Sequence, residues 1–307
     1  MLIDLLLLVL GFVLMVRGAD YFVDGASGLA TRLSIPPIII GLTIVAMGTS
    51  APEAAVSITS AVHDSNAIAI GNVIGSNIAN ILLILGLSAI IAPLVVQKNT
   101  VRFEIPFTAA ITGLLFFMGA HYGFISHAGA WLLLGLFVLF LGYLYVLSRR
   151  NTADACEIKQ ISYTRITLYV IFGMLALVFG SNIAVDAATS IAEYIGISER
   201  IIGLTIIAIG TSLPELVTSI IAARKGESDL AIGNIVGSNI FNILFVLGLS
   251  GVILPIPFNP AFVFDCWIAI LAVVMLMLAT CRTGRMGRVW GIIFFVTYLG
   301  YLICLIK

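Results

Sequence analysis

Two stretches of this chain return almost unchanged 162 residues further on, and that spacing constrains the fold more than any other feature. Residues 41–53, GLTIVAMGTSAPE, match 203–215, GLTIIAIGTSLPE, at 10 of 13 positions. Residues 69–88, AIGNVIGSNIANILLILGLS, match 231–250, AIGNIVGSNIFNILFVLGLS, at 15 of 20, and weaker correspondence reaches back through Asp24 and Asp186. Both copies lie in long apolar runs. With 61% hydrophobic and 10% charged residues, against about 25% charged in a soluble domain, the chain reads as a membrane protein.

Lipid offers the backbone no hydrogen bonds, so the spanning segments must be helices or a closed barrel. A spanning helix needs about 20 largely apolar residues. Runs of that kind fall near 2–25, 36–61, 67–92, 103–120, 127–147, 166–189, 200–222, 229–254, 261–280 and 288–306. The opening MLIDLLLLVLGFVLMV carries no basic start and no small-residue cleavage site, so it is expected to be a retained first span. Each repeat unit then holds five spans, an odd number, and the second must enter the membrane from the opposite side. The expected fold is an all-α membrane protein of ten transmembrane helices, built as two inverted five-helix repeats with helices 2 and 7 broken. Residues 1–147 form the first repeat, 148–165 a cytoplasmic linker loop, and 166–307 the second repeat.

Ten spans send the connections alternately to two faces. Of the 15 Lys and Arg residues, all but Arg17, Arg200 and Lys307 fall on one of them. Basic residues of short loops stay cytoplasmic, which puts both termini outside a multi-pass protein of the cell membrane. Zero net charge argues against a nucleic-acid partner. Cys156, Cys266, Cys281 and Cys304 are scattered without metal or disulfide spacing and receive no role.

The string GTSAPE is poor material for a buried helix. Pro52 has no N–H, so the carbonyl of Gly48 loses its helical partner, and Pro214 does the same to Gly210. Broken backbone at that depth is tolerated only when protein buries it or it lines a wet cavity. The freed carbonyls, the hydroxyls of Thr49 and Ser50 and the carboxylate of Glu53 gather at one break; Thr211, Ser212 and Glu215 gather at the other. All are oxygen ligands, the kind hard cations need. A charge at mid-bilayer costs about 2.5–3.5 kcal/mol on insertion scales, and the sequence offers no basic residue at that depth. The countercharge is best supplied by a transported metal ion. Inverted repeats with broken helices also carry substrate sites at the repeat interface in secondary transporters.

The neighbouring segment agrees. Asn72, Ser76 and Asn80 fall at i, i+4 and i+8 on one helical stripe, and Asn234, Ser238 and Asn242 repeat it. Gly71–Gly75 and Gly233–Gly237 are small-xxx-small pairs that let helices approach. A structural reading makes Glu53 and Glu215 interhelical hydrogen-bond partners, Ser76 and Ser238 donors to their own i−4 carbonyls, and Asp20, Asp24, Asp186, Glu104 and Asp265 local or interfacial acids.

Together, GTSAPE/GTSLPE and GNVIGSNIAN/GNIVGSNIFN resemble the paired alpha repeats of the calcium/cation antiporter superfamily, in particular prokaryotic sodium/calcium exchangers. The resemblance covers about a third of the chain, near 38–90 and 200–252. It implies a cage from spans two, three, seven and eight, with Glu53 and Glu215 as central carboxylates. Thr49, Ser50, Thr211 and Ser212 would give hydroxyl or carbonyl oxygens, the Ala46 and Ala208 carbonyls would face flanking sodium sites, and Ser76, Asn80, Ser238 and Asn242 would complete the shell. Family members commonly carry an aspartate at one of the last Asn positions; Asn80 and Asn242 leave two acidic ligands here. The implied activity is Na⁺/Ca²⁺ antiport by alternating access, normally extruding Ca²⁺, with no cofactor, no enzymatic step and a functional monomer. Two carboxylates balance one Ca²⁺, whereas the three Na⁺ implied by the resemblance leave one positive charge over and make exchange electrogenic. In an empty cage a proton can compete for either carboxylate, so H⁺/Ca²⁺ or K⁺-linked exchange is the alternative. A passive cation channel would pass Ca²⁺ without a counter-ion. An intramembrane hydrolase would need a histidine or lysine beside Thr–Ser–Glu, and none lies there.

Overall fold

The computed structural model describes residues 1–63, 66–150, 162–196 and 208–306. The first part of span seven, most of the 148–165 linker and Cys156 therefore lie outside the described residues. Among the described residues eight helices are long and apolar enough to cross a membrane, or nine if one bent pair counts as a span. In chain order they are α1 (Leu2–Leu33), the bent pair α2 (Pro37–Thr49) and α3 (Ala51–Val62), α4 (Ile68–Ile91), α5 (Thr100–Tyr122) and α6 (His127–Arg149). There follow α7 (Tyr163–Tyr194), the shorter α8 (Leu213–Arg224), α9 (Ser228–Ile253), α10 (Phe262–Cys281) and α11, which starts at Arg288.

The breaks lie where proline removes a donor. The chain bends by 52° between α2 and α3, and Pro52 sits in the first turn of α3, where a missing N–H does no harm. Span seven repeats the device: a short turn, Ala208–Gly210, ends before Thr211, and α8 restarts with Pro214 in its first turn. Further irregularity comes as π-helical segments at Gly41–Val45, Ala79–Leu85, Thr100–Glu104 and Asn242–Val246. Such bulges break the i→i−4 ladder and are frequent at functional sites.

Helices α4 and α9 form the centre, with 72% and 83% of their most apolar windows buried, whereas α1 and α7 stand at the edge with 22% and 28%. Those two edge helices pack closely on each other. A Cβ on Gly11 would meet the Gly180 carbonyl at 2.7 Å, and one on Gly18 the Gly173 carbonyl at 2.9 Å, so glycine lets the two backbones touch. Both helices are 32 residues long, about 48 Å at 1.5 Å per residue, and must tilt or project beyond a hydrocarbon core of about 30 Å. The apolar pattern ends these spans near 25 and 189, and both helices continue past those points; the polar end of α1 finds partners. Lys225 Nζ bridges Asp20 Oδ1 and Asp24 Oδ1, both at 2.6 Å, and Ser27 donates to Glu227 at 2.8 Å. Gly226, at φ 79°, makes the turn that brings Lys225 and Glu227 there.

Two short antiparallel strand pairs tie loops together: β1 (Leu94–Val95) with β4 (Arg285–Met286), and β2 (Phe124–Ile125) with β3 (Ile256–Pro257). Glu104 departs from its interfacial reading. It is 2% exposed, and Tyr143 donates to its Oε1 at 2.7 Å.

Candidate functional site

Each acid sits in the first turn of the helix that restarts after its break, Glu53 in α3 and Glu215 in α8. The positive end of a helix dipole favours a carboxylate there. Both are fully buried. Their Oε1 atoms are held by crossed hydrogen bonds: Ser50 donates to Glu215 at 2.7 Å, and Ser212 donates to Glu53 at 3.0 Å. Each half of the chain thus supplies the hydroxyl that holds the other half's acid.

The helices carrying the acids are braced from behind by matching bonds. Asn72 donates to the Glu53 carbonyl at 3.2 Å and to Ser57 Oγ at 2.9 Å; Asn234 donates to the Glu215 carbonyl at 3.4 Å and to Ser219 Oγ at 3.0 Å. The stripe Asn72–Ser76–Asn80 therefore does not act as one surface: Asn72 and Asn234 grip neighbouring helices.

Thr49 and Thr211, equivalent in sequence, differ here. Thr49 is 1% exposed and donates to Asn234 Oδ1 at 2.9 Å, whereas Thr211 Oγ1 has no partner among the described residues. Thr211 lines a cavity of about 440 Å³ with Ala51, Pro52, Ser181, Asn182 and Asp186. Ser181, a residue outside both motifs, donates to the Gly210 carbonyl at 2.9 Å, the group freed by Pro214. The Ala46 carbonyl faces Ser238 Oγ at 3.5 Å. Ala208 opens the described turn of span seven, and its side chain is outside the description.

The last members of the predicted shell, Asn80 and Asn242, are fully buried and make contacts across the halves. Asn80 Nδ2 donates to Asn239 Oδ1 at 2.9 Å, and Asn242 Nδ2 donates to Asn77 Oδ1 at 3.4 Å. Asn77 and Asn239 lie off the i, i+4, i+8 stripe that marks the other asparagines, yet both sit in the string GSNI, identical in the two repeats.

The buried side-chain oxygens left without a partner among the described residues include Glu53 Oε2, Glu215 Oε2, Asn80 Oδ1, Asn242 Oδ1, Ser76 Oγ and Thr211 Oγ1. An unsatisfied buried polar group costs about 1–3 kcal/mol, more when charged. Every one of these atoms has lone pairs to offer, and oxygen is the ligand type hard cations take; Ser88 Oγ, Glu104 Oε2, Thr218 Oγ1 and Ser250 Oγ, outside the predicted shell, are likewise unpartnered. Among the described residues no group of three or more His, Cys, Asp or Glu is placed to hold a metal, so a cation here would rest on two carboxylates and neutral oxygens.

Comparison with known proteins adds to this chemistry. The family model described as "Sodium/calcium exchanger protein" matches residues 3–147 and 165–307. The chain is 38% identical over 320 residues to the inner membrane protein YrbG of Escherichia coli K12, covering 98% of this chain and 97% of that one. It is 30% identical over 345 residues to the sodium/calcium exchanger MaX1 of Methanosarcina acetivorans, with 99% and 98% covered. Among solved structures, the sodium-calcium exchanger NCX_Mj, soaked with Na⁺ and Sr²⁺, superposes with a TM-score of 0.86 at 31% identity over 97% of both chains.

Proposed function

This chain belongs to the sodium/calcium exchanger family, and we propose that it extrudes Ca²⁺ from the cell against inward-flowing Na⁺, by alternating access to a cage built around Glu53 and Glu215. It is a multi-pass membrane transporter and not an enzyme. The observation that carries the cage is the pair of crossed serine–carboxylate bonds, each leaving one carboxylate oxygen buried and unpartnered. Thr49, Ser50, Ser76, Asn80 and the Ala46 carbonyl belong to the cage from the first half; Thr211, Ser212, Ser238, Asn242 and the Ala208 carbonyl belong to it from the second.

Ten spans in two inverted repeats, 1–147 and 166–307 joined by the cytoplasmic linker 148–165, with both termini outside the cell membrane, suit the loop contacts. β1 with β4 joins loops 3–4 and 9–10, and β2 with β3 joins loops 4–5 and 8–9. Gln97 donates to Asp229, joining loop 3–4 to loop 7–8. In a ten-span topology each of these pairs lies on one face. In this reading the functional unit is a monomer.

The outer half of the path is the open one in this reading. The cavity beside Thr211 lies along the first turns of α3 and the second half of α7, and it reaches both breaks, with Val185 packed against Gly210. On the cytoplasmic side Phe22 and Met174 cover Gly48, and Lys225 ties α8 to α1 through Asp20 and Asp24. Burial alone would pull the Lys225 ammonium down, and the two carboxylates more than offset it, so its pKa is raised. A raised amine pKa makes the tie complete below the unfolded value of about 10.4, and it is lost only as pH climbs through the folded value. Lys225→Gln removes a half-exposed ion pair worth about 0.2–1 kcal/mol per contact. The expected result is a shift toward inward-facing states: the Ca²⁺ KM rises about two- to fivefold from outside and falls from inside. Equal KM values on both faces before and after the change would show that the tie does not gate.

Reconstituted protein with Na⁺ trapped inside the vesicles should take up ⁴⁵Ca²⁺ when the outside is Na⁺-free, and net positive charge should leave with the Na⁺. Uptake driven by a proton or K⁺ gradient and indifferent to Na⁺ would replace the Na⁺-coupled reading with the H⁺- or K⁺-linked one. Non-saturating Ca²⁺ flux without any counter-ion would make the protein a channel.

A further inference from the structure

Four asparagines at the centre of the molecule form a closed set of donors and acceptors, and their order is forced. Asn239 Nδ2 donates to the Asn77 backbone carbonyl at 3.2 Å, and Asn77 Nδ2 donates to the Asn239 backbone carbonyl at 3.3 Å. A backbone carbonyl can only accept, so the amide nitrogen of each side chain must face it, whatever ambiguity asparagine amides otherwise carry. Both carbonyls stand next to the places where α4 and α9 pass from α to π geometry, Ala79–Leu85 and Asn242–Val246, and the regular ladder is interrupted there.

With its nitrogen committed, each of these two residues can present only Oδ1 to the neighbour across the halves. Asn239 Oδ1 meets Asn80 at 2.9 Å and Asn77 Oδ1 meets Asn242 at 3.4 Å. An amide oxygen also only accepts, so Asn80 and Asn242 must turn their NH₂ groups toward it. Their own Oδ1 atoms then point elsewhere, fully buried and without a partner among the described residues. We infer that Asn77 and Asn239 are positioning residues: the Asn77–Asn239 exchange of side-chain amides and backbone carbonyls fixes the flips of Asn80 and Asn242 so that both offer the cation an oxygen and never an NH₂.

This rests on the cage reading, and it deepens it. A flipped amide would aim N–H hydrogens at a metal ion and turn an attractive dipole into a repulsive one. The set also selects a neutral hydrogen donor at positions 80 and 242. An ionised carboxylate there would set acceptor against acceptor, at Asn239 Oδ1 or Asn77 Oδ1. Asn77 and Asn239 thereby help hold the cage to two formal charges.

The test is a set of double-mutant cycles on Ca²⁺ KM in proteoliposomes. Asn239→Leu and Asn77→Leu are each expected to raise the Ca²⁺ KM about five- to tenfold, the scale of one hydrogen bond, with kcat changed less than about twofold. In an Asn80→Ala background, Asn239→Leu should have little further effect, because the oxygen it positions is gone; Asn77→Leu should show the same dependence on Asn242. The crossed combinations, Asn239 with Asn242 and Asn77 with Asn80, should be closer to additive. Additivity in all four cycles, or equal coupling in all four, would make the network merely structural and overturn the proposal. Where leucine prevents folding, Asn239→Ala and Asn77→Ala remove the same bonds with less volume and carry the same cycles. Loss of Ca²⁺ exchange in Glu53→Gln together with uniform additivity would reject the positioning role alone; normal exchange in Glu53→Gln would reject the cage itself.

Discussion

Replacing Glu53 by glutamine is expected to cut Ca²⁺ exchange by about 100-fold or more while leaving the protein folded. Glu53 is fully buried, and its Oε1 accepts from Ser212 at 3.0 Å, a bond that a glutamine oxygen can keep. The unpartnered Oε2 becomes an NH₂ turned toward the metal. The site also falls from two negative charges to one, too few for Ca²⁺ in a dehydrated place. Two unit charges about 4 Å apart interact by about 4 kcal/mol at an effective dielectric constant near 20, and 1.4 kcal/mol is tenfold, so even partial loss reaches this scale. Removing a buried charge relieves desolvation, so the apo protein should be no less stable. Glu215→Gln should behave alike, with Ser50 in the place of Ser212. ⁴⁵Ca²⁺ counterflow, read beside a thermal melt with and without Ca²⁺, separates transport from folding. Near-wild-type counterflow in either variant would falsify the two-carboxylate cage.

The second large effect is one of packing. A Cβ on Gly237 would lie 2.7 Å from both Ala46 Cβ and Leu42 Cα, and 2.8 Å from the Leu42 carbonyl. One turn earlier, a Cβ on Gly233 would lie 2.8 Å from the Ile38 carbonyl and 2.9 Å from Gly41 Cα. These two glycines seat α9 directly on the backbone of α2, the segment that carries Ala46 and Thr49, both assigned to the proposed cage. Backbone cannot swing aside as a side chain can, so the whole of α2 must move. Overpacking of this kind costs about 1–3 kcal/mol, and Gly237→Val should lower the melting midpoint by roughly 2–5 °C and displace Thr49 from Asn234. Gly135→Val is the control, because a Cβ there would meet nothing among the described residues within 4 Å beyond its chain neighbours and its own helical backbone. A Gly237→Val protein that melts and transports like the parent would contradict the close seating of α9 on α2.

The companion pair, Gly71 and Gly75, shows how far the same motif can be taken. A Cβ on Gly71 would first meet the Phe262 ring at 3.4 Å, and residues 203–207, which repeat 41–45, lie outside the described residues. Small-xxx-small spacing marked both pairs in the sequence, yet it named no partner helix. The acids likewise were legible, since a carboxylate beside a proline in an apolar run has few stable explanations. That Ser50 would hold Glu215, and Ser212 Glu53, was not. Nor was the opposite fate of Thr49 and Thr211, one docked on Asn234 and the other facing a cavity. Asp24 read as a locally paired acid, and its partner proved to be Lys225, some 200 residues along the chain.

By itself the sequence determined the membrane environment, the repeat, the breaks at Pro52 and Pro214 and the acids beside them. Each follows from local chemistry: apolar length, a missing N–H, a charge in oil. Only the tertiary structure decided which atom meets which, from the crossed serine–glutamate bonds to the four-asparagine exchange and the tie from Lys225 to α1. Those pairings depend on how helices far apart in the chain are set against one another. Periodicity along a single helix says which face a residue occupies, and nothing about what waits opposite.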